Sequence, residues 1–284
     1  AIISILTTFG ILFSILFEAI EFFKLRSFWY FITGATWSPG VIGSQFGALP
    51  IFAGTFVITL IALGVAIPIG LGSAIYMSEY ASPKTRDYLK PILEVLAGIP
   101  SVVYGFFAAI TVAPLVVKVA ETFGLEATFN SALASGIVMG IMIIPTISSL
   151  SDDVIRAVPD SQRKAAFGLG MTHGETIKNI VLPSAMPGII SASLLALSKA
   201  LGETMIVVMA AGLRPNLSWN PLEDMTTVTV TIVNSLVGDF EFNSPETLSA
   251  FALGLILFIV TLILNMISLS LIRKFKEKYK VNTL

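Results

Sequence analysis

Long runs without charged residues dominate this sequence and limit what it can fold into. A helix needs about 20 mostly apolar residues to cross the hydrocarbon core of a bilayer. Charged residues make up 12% of the chain, whereas a soluble domain carries about a quarter. The long uncharged runs are residues 1–17, 27–78, 95–117, 127–151, 179–198 and 247–272. The sequence therefore predicts an all-α, polytopic membrane protein.

The positions of loop-forming residues and the lengths of the uncharged runs together predict six transmembrane helices. The first part of run 27–78 is rich in glycine and proline, so only about 53–79 is assigned to a helix. Run 225–238 has 14 residues, too few to cross, and is predicted to pack as an external or re-entrant segment. The predicted spans are about 1–23, 53–79, 92–117, 129–150, 184–212 and 247–272. Ala1 lies inside an apolar run, which indicates that the natural N-terminus precedes it.

The distribution of basic residues predicts the orientation of the chain. Six spans place both termini on the same side of the membrane. Most of the 17 Lys and Arg residues lie on that side, in segments 80–91 and 151–183 and in the tail from Arg273. Cytoplasmic loops carry an excess of Lys and Arg, so we expect both termini to be cytoplasmic in the inner or plasma membrane.

Two long segments, 24–52 and 213–246, lie on the opposite side in this topology. The aromatic residues of the first predict either anchoring at the membrane interface or docking of an external partner. These residues are Trp29, Tyr30 and Trp37. The second segment is acidic, and we expect it to contact a soluble external protein. Its acidic residues are Glu223, Asp224, Asp239, Glu241 and Glu246.

A polar stretch within residues 151–183 predicts two short helices with a break between them. Asp160 is placed to cap the first, which is expected to fail at Gly168–Gly170. Thr172 and Glu175 form a T-x-x-E capping box that starts a second helix, expected to end near Pro183. Such a helix pair in an interspan loop is a surface suited to docking.

This stretch resembles the cytoplasmic coupling loop of ABC-importer permeases, whose pattern is E-A-A-x3-G-x9-I-x-L-P. Lys164 stands where the pattern has Glu, which affects only the polar contacts of that carboxylate. The resemblance implies that a cytoplasmic ATPase subunit docks on the loop. The matching residues are Ala165, Ala166, Gly170, Ile180, Leu182 and Pro183. An ordinary amphipathic interspan loop is the alternative interpretation.

Two ionisable residues, Lys199 and Glu203, fall within the predicted fifth span. Four residues apart, they are expected to share one helix face, about one turn apart. Charges in a membrane are costly and usually face a bundle interior or a water-filled pathway. The pair, together with Thr204, is therefore predicted to line the substrate pathway. A self-neutralising structural pair is the alternative.

The sequences SKALGETMIVVMAAG from Ser198 and LEVLAGIPSVVYGFF from Leu93 resemble those of phosphate-specific ABC-transporter permeases, in particular the PstC-type subunit. The resemblance covers about 50–275, and Lys199 stands where this family usually has Arg. It implies a single type I ABC-importer permease domain over 1–284. It further implies a second permease subunit, identical or different, two ATPase subunits that bind ATP and Mg, and an external phosphate-binding protein.

The composition of the sequence argues against several other functions. No Gly-Lys dipeptide occurs, so the chain has no P-loop of its own and is predicted not to be an enzyme. With no Cys and with the single His173 expected in an exposed loop, no metal site is predicted. A net charge of −1 offers no basic surface for nucleic acid. The alternatives left open are a permease for molybdate, tungstate or sulfate, and a secondary transporter or channel.

Overall fold

The computed structural model describes residues 2–40, 43–237, 241 and 243–278. Within these residues, six helices are long and apolar enough to cross a membrane, which confirms the predicted number of spans. These candidate spans are Ile3–Leu25, Leu49–Tyr80, Ser101–Thr122, Ala132–Arg156, His173–Leu201 and Pro245–Lys274. Asp239 and Lys280, which were assigned to the external segment and the basic tail, lie outside the described residues.

Helices make up most of the chain, and two short strands lie between the first two spans. In chain order the elements are α1 (Ile2–Leu25), α2 (Phe28–Thr33), β1 (Trp37–Ser38), β2 (Gln45–Phe46), α3 (Leu49–Ile75), α4 (Pro83–Gly98), α5 (Ser101–Phe107), α6 (Ala113–Thr122), α7 (Ala132–Arg156), α8 (Asp160–Gly168), α9 (His173–Thr176), α10 (Leu182–Leu201), α11 (Met205–Ala210), α12 (Val228–Val237) and α13 (Pro245–Lys278). The strands pair antiparallel, with Trp37 opposite Phe46.

The third span begins later than the sequence predicts. It starts at Ser101, and the residues before it form the separate helix α4, which buries none of its side chains. The break falls at Ile99, whose backbone is extended (φ −67, ψ 128). A residue that precedes proline is disfavoured in the helical region, and Pro100 follows here. The prediction of a span from 92 to 117 is therefore wrong at its start.

The fifth span is displaced toward the N-terminus relative to its prediction of 184–212. It runs from His173 to Leu201 and continues through Pro183, where the second loop helix was expected to end. Beyond Leu201 the chain breaks and re-forms as the short helix α11. Both predicted boundaries are therefore wrong.

Two helices contain a π-helical turn shortly before a proline and remain continuous through it. A proline ring clashes with the carbonyl of the residue four positions earlier in an α-helix. A π turn moves that carbonyl away from its α-helical position. Each of the three π turns in the described residues precedes a proline by two or three residues. The turns Ala108–Val112 before Pro114 and Ile177–Val181 before Pro183 lie within continuous spans, whereas Tyr76–Tyr80 ends its helix before the extended residues Ala81 and Ser82.

The chain divides into two compact units. The first comprises Ala1–Leu60, Ser101–Val138 and Leu201–Leu262. Its core contains an aromatic cluster in which Phe22 meets Phe31 at 5.2 Å and Phe46 at 5.5 Å between ring centroids. Trp37 packs on Phe46 at 5.6 Å. Of the three aromatic residues singled out in segment 24–52, Trp37 thus belongs to a packed cluster, whereas Trp29 and Tyr30 are exposed.

The second unit comprises Ile61–Pro100, Met139–Ala200 and Ile263–Leu284. Its core joins the end of α3 to the coupling loop through the buried side chains of Ala74, Ile155, Val158 and Val181. Gly188 permits close packing, because a Cβ there would lie 2.2 Å from a methyl carbon of Val154. The description of 1–284 as one permease domain stays a prediction.

Candidate functional site

The coupling loop, residues 151–183, forms a pair of helices joined by a glycine turn. Gly170 has φ +81, in the left-handed region that glycine adopts most readily. The amides of Gly170 and Met171 donate to the carbonyls of Phe167 and Ala166 at 3.0 and 3.1 Å. These two bonds close the end of α8 in a Schellman motif. The predicted helix end at Gly168–Gly170 is confirmed.

The two helix starts in this loop differ in how they are capped. The Thr172 amide donates to Oε2 of Glu175 at 2.8 Å, and the Glu175 amide donates to Oγ1 of Thr172 at 3.4 Å. The predicted capping box is therefore confirmed. At α8 the N-cap is Pro159, which has an extended backbone, and Asp160 is the first helical residue. The prediction that Asp160 caps this helix is wrong; its carboxylate lies 3.3 Å from Nη1 of Arg163.

Arg163 ties α8 to the π turn that follows α3. Its Nη2 lies 2.9 Å from Oε1 of Glu79, and the two side chains are 16% and 6% exposed. The same nitrogen donates to the Ile155 carbonyl at 2.9 Å, and Nη1 donates to the Val158 carbonyl. A guanidinium with five N–H donors can serve all these acceptors at once. The sequence analysis missed this contact, because Glu79 and Arg163 are 84 residues apart.

His173 is exposed to solvent, and its ring also contacts two aromatic side chains. Its ring meets Tyr80 edge-on at 5.1 Å and stacks near Phe167 at 6.3 Å. Its Nε2 lies 3.8 Å from Oε2 of Glu79, and its side chain is 45% exposed. The prediction that His173 is exposed in this loop is confirmed, and the capping box sets it at the first position of α9, beside these rings.

The remaining motif residues divide between a buried and an exposed face of the loop. Ala166 is buried, and Lys164 and Ala165 are exposed. Phe167 and Leu169 expose 46% and 82% of their surface. The half-buried residues are Ile180, Leu182 and Pro183. Ala166 therefore packs against the interior, whereas its neighbours Lys164, Ala165 and Phe167 face outward.

A break in the chain, Gly202–Thr204, separates the two predicted pathway charges. Because α10 ends at Leu201, Lys199 and Glu203 do not share one helix, and that prediction is wrong. Lys199 is exposed in the last turn of α10. Gly202 follows, and glycine is a poor helix residue.

Glu203 caps the helix that follows the break. Its Oε1 accepts hydrogen bonds from the amides of Met205 at 3.0 Å and Ile206 at 3.3 Å. A carboxylate at a helix N-terminus satisfies orphan amides and interacts favourably with the helix dipole. Thr204, half-buried, is the formal N-cap but makes no capping bond through its side chain. The Glu203 carbonyl accepts a bond from Oγ1 of Thr229 at 2.8 Å.

A non-helical strap, residues 213–227, begins after α11 and lies over the start of α7. The amides of Ala132 and Leu133 donate to the carbonyls of Glu223 and Pro221 at 3.0 and 2.8 Å. The strap thus satisfies amides at a helix N-terminus. Hydrogen bonds from Asn216, Ser218 and Asn220 lower the pKa of the Glu223 carboxyl, with Asn216 the largest cause. The strap leads into α12, which buries four side chains, as expected of a segment that packs without crossing.

Comparisons with known proteins place this arrangement in a family. The chain is 34% identical over 251 residues to the probable ABC transporter permease protein YqgH of Bacillus subtilis, covering 88% of this chain and 78% of that protein. It is 35% identical over 252 residues to the phosphate transport system permease protein PstC of Mesorhizobium japonicum, covering 82% and 75%.

Solved structures show the same fold at low identity. A bacterial alginate ABC transporter in complex with its alginate pentasaccharide-bound periplasmic protein matches with a TM-score of 0.62 and 16% identity, over 94% of this chain and 92% of that one. The inward-facing MetNI methionine ABC transporter matches with a TM-score of 0.58 and 15% identity, over 81% and 94%. The model of the binding-protein-dependent transport system inner membrane component family matches residues 66–280. The chain belongs to that family.

Proposed function

We propose that this protein is a transmembrane subunit of an ATP-driven importer and that its substrate is inorganic phosphate. The observation that carries the proposal is its identity of 31–35% over most of its length to permeases named for phosphate transport. The capped helix pair of the coupling loop supports the same role, since it exposes a folded surface to a partner. Molybdate, tungstate and sulfate are the competing substrates.

In this proposal, other polypeptides of the importer hydrolyse ATP. The absence of a Gly-Lys dipeptide from the sequence supports this division, because a P-loop requires one. Two cytoplasmic ATPase subunits bind ATP and Mg in this proposal. One of them receives α8 in a groove, with exposed Phe167 and Leu169 as apolar contacts.

The charge distribution supports the orientation, and membership of a binding-protein-dependent transport family supports the remaining partners. The excess of Lys and Arg in segments 80–91 and 151–183 supports cytoplasmic coupling loops and cytoplasmic termini. A second permease subunit, identical or different, completes the membrane domain. An external phosphate-binding protein delivers the substrate to the opposite side, where the strap and segment 24–52 lie in this topology.

Lys199, Glu203 and Thr204 contribute to the substrate pathway in this proposal. A phosphate anion in a low-dielectric environment requires compensating charge or hydrogen-bond donors. Lys199 supplies a positive charge with three donors. Glu203 fixes the break by capping α11, which lets an interrupted helix expose backbone groups where they line a cavity.

The test is uptake of radiolabelled phosphate by the complex reconstituted with its ATPase, second permease and binding protein. We expect ATP-dependent uptake that excess unlabelled phosphate abolishes and that sulfate and molybdate leave unchanged. Uptake suppressed by molybdate or sulfate would reassign the substrate. Uptake without ATP would indicate a secondary transporter instead.

A further inference from the structure

A small pocket at the end of α1 has the side chains of an anion site. Its volume is about 230 Å³, and its lining includes Arg26, Ser27, Tyr30, Ser44 and Phe46. Arg26 is the only charged residue among its lining in the described part of the chain. The pocket therefore combines one fixed positive charge with three hydroxyl groups.

The guanidinium of Arg26 is held in place by neutral partners. Its Nη2 donates to Oγ of Ser44 at 3.1 Å, and its Cζ lies 5.3 Å from the ring centroid of Phe46. The Phe46 ring is fixed in turn, since Phe46 is 2% exposed. No carboxylate forms an ion pair with Arg26 within the residues that the structure describes. The guanidinium of Arg26 is therefore oriented, and an anion bound in the pocket would provide the negative charge that the neighbouring side chains lack.

Two hydroxyl groups beside Arg26 donate to no acceptor among the residues that the structure describes. Ser44 accepts the bond from Arg26, which leaves its own O–H available. Ser27 is the N-cap residue of α2 but makes no capping bond through its side chain. Arg with neighbouring hydroxyl donors is the combination that recognises phosphate oxygens. The hydroxyl of Tyr30 lies 3.4 Å from Thr36 and is already engaged.

The surroundings of the pocket suit a phosphate group at the membrane surface. α1 is strongly apolar and almost wholly exposed, with 6% of its most hydrophobic window buried. It ends at Leu25, directly before Arg26, and the neighbouring Trp29 is 74% exposed. Exposed aromatic residues at the end of an apolar helix are typical of the headgroup level of a bilayer.

We propose that the Arg26 pocket binds a phosphate group, either that of a phospholipid headgroup or free inorganic phosphate. The acyl chains of a phospholipid would lie along the exposed surface of α1. The inference does not rest on the transported substrate, and its test uses no transport measurement.

The first experiment measures retention of phosphatidylglycerol by the detergent-purified full-length protein, using native mass spectrometry. Loss of a charge-assisted hydrogen bond corresponds to about a tenfold loss of affinity, so we expect Arg26→Gln to retain about tenfold less lipid. Lys24→Gln is the matched control, since Lys24 is the adjacent exposed cation and does not line the pocket. We expect it to retain lipid as the wild type does.

The second experiment adds either inorganic phosphate or phosphatidylglycerol to separate samples of lipid-depleted protein and follows tryptophan fluorescence. A response to inorganic phosphate that depends on Arg26 would identify free phosphate as the ligand. A response to phosphatidylglycerol alone would identify the lipid. If Arg26→Gln misfolds, Ser27→Ala combined with Ser44→Ala removes the hydroxyl donors and is expected to weaken binding while the charge remains. Equal binding of both probes by wild type and folded variants would overturn the proposal.

Discussion

Two carboxylates among the described residues bind backbone amides at the start of a helix. Glu203 accepts two such bonds at the start of α11, and Glu175 accepts one from Thr172 beside α9. A carboxylate in this position stabilises the helix whether or not it contacts a substrate. Substitutions at Glu203 must therefore separate capping from transport.

We expect Glu203→Ala and Glu203→Gln to differ in stability but not in transport. Alanine removes the cap, which costs about 1 kcal/mol, whereas the amide oxygen of glutamine can still accept from Met205 and Ile206. Thermal unfolding in detergent measures the first effect. Phosphate uptake measures the second, and both variants are expected to lose most of it. Wild-type uptake by Glu203→Gln would show that the carboxylate only caps α11.

We expect Lys199→Gln to assemble with the ATPase and lose most phosphate uptake. The reason is the loss of a positive charge that compensates the anion along its path. Lys118→Gln provides a control, because Lys118 is also an exposed lysine in a helix. Uptake by Lys199→Gln equal to that of the control would remove Lys199 from the pathway.

At the scale of elements, the coupling loop joins a rigid interior to an exposed surface. Arg163 and the capping box fix the two helices, and Gly170 sets the angle of the chain between them. An element of this kind can transmit a displacement applied to α8, because few of its internal torsions are free to absorb it.

We expect Gly170→Val to uncouple ATP hydrolysis from transport while membrane insertion is kept. No atom lies within 4 Å of the Cβ that would be added, so the cost comes from the positive φ alone. This cost is about 1–3 kcal/mol for a non-glycine residue. Gly168→Ala is the control, since its Cβ would also meet nothing but its φ is not positive. The readout is ATPase activity stimulated by loaded binding protein; normal stimulation in Gly170→Val would contradict the prediction.

We expect Arg163→Gln to release α8 from the π turn after α3. Truncation of one member of a buried ion pair costs about 3–5 kcal/mol, because the other charge is left without its partner. The side chains of Glu79 and Arg163 are both largely buried. Limited proteolysis of residues 157–172 measures the release, with the exposed neighbour Lys164→Gln as control. Cleavage at equal rates in both variants would show that α8 is held by other contacts.

At the scale of the whole molecule, hydropathy sufficed to predict the number of spans but not their interruptions. The break at Gly202–Thr204 lies in an apolar stretch and depends on Thr229, a residue 26 positions away that binds the Glu203 carbonyl. The strap likewise depends on the amides of Ala132 and Leu133. The turn at Gly170 and the capping box are local, and both were predictable. Contacts between distant residues leave no periodicity to detect, which is why Arg163 was missed.

We expect the strap to contact the external binding protein of the assembled importer. Trp219 is 75% exposed and lies among turn-forming residues. A photoreactive residue in place of Trp219 is expected to crosslink to the binding protein in an ATP-dependent manner. The same residue at Leu169, which is 82% exposed on the coupling loop, is expected to crosslink to the ATPase. Crosslinks from position 219 only to lipid or to another permease subunit would contradict this assignment.

The π turns before Pro114 and Pro183 have a consequence for sequence alignments of this family. A π turn holds one residue more than the α turn it replaces, so it is equivalent to a single-residue insertion. Where a relative has another residue in place of either proline, the clash disappears and the extra residue can be lost. Elsewhere in a span, such a deletion would rotate all later side chains by about 100° and exchange the faces of the helix. We therefore expect single-residue gaps within spans to occur in these turns, and in relatives that lack the proline.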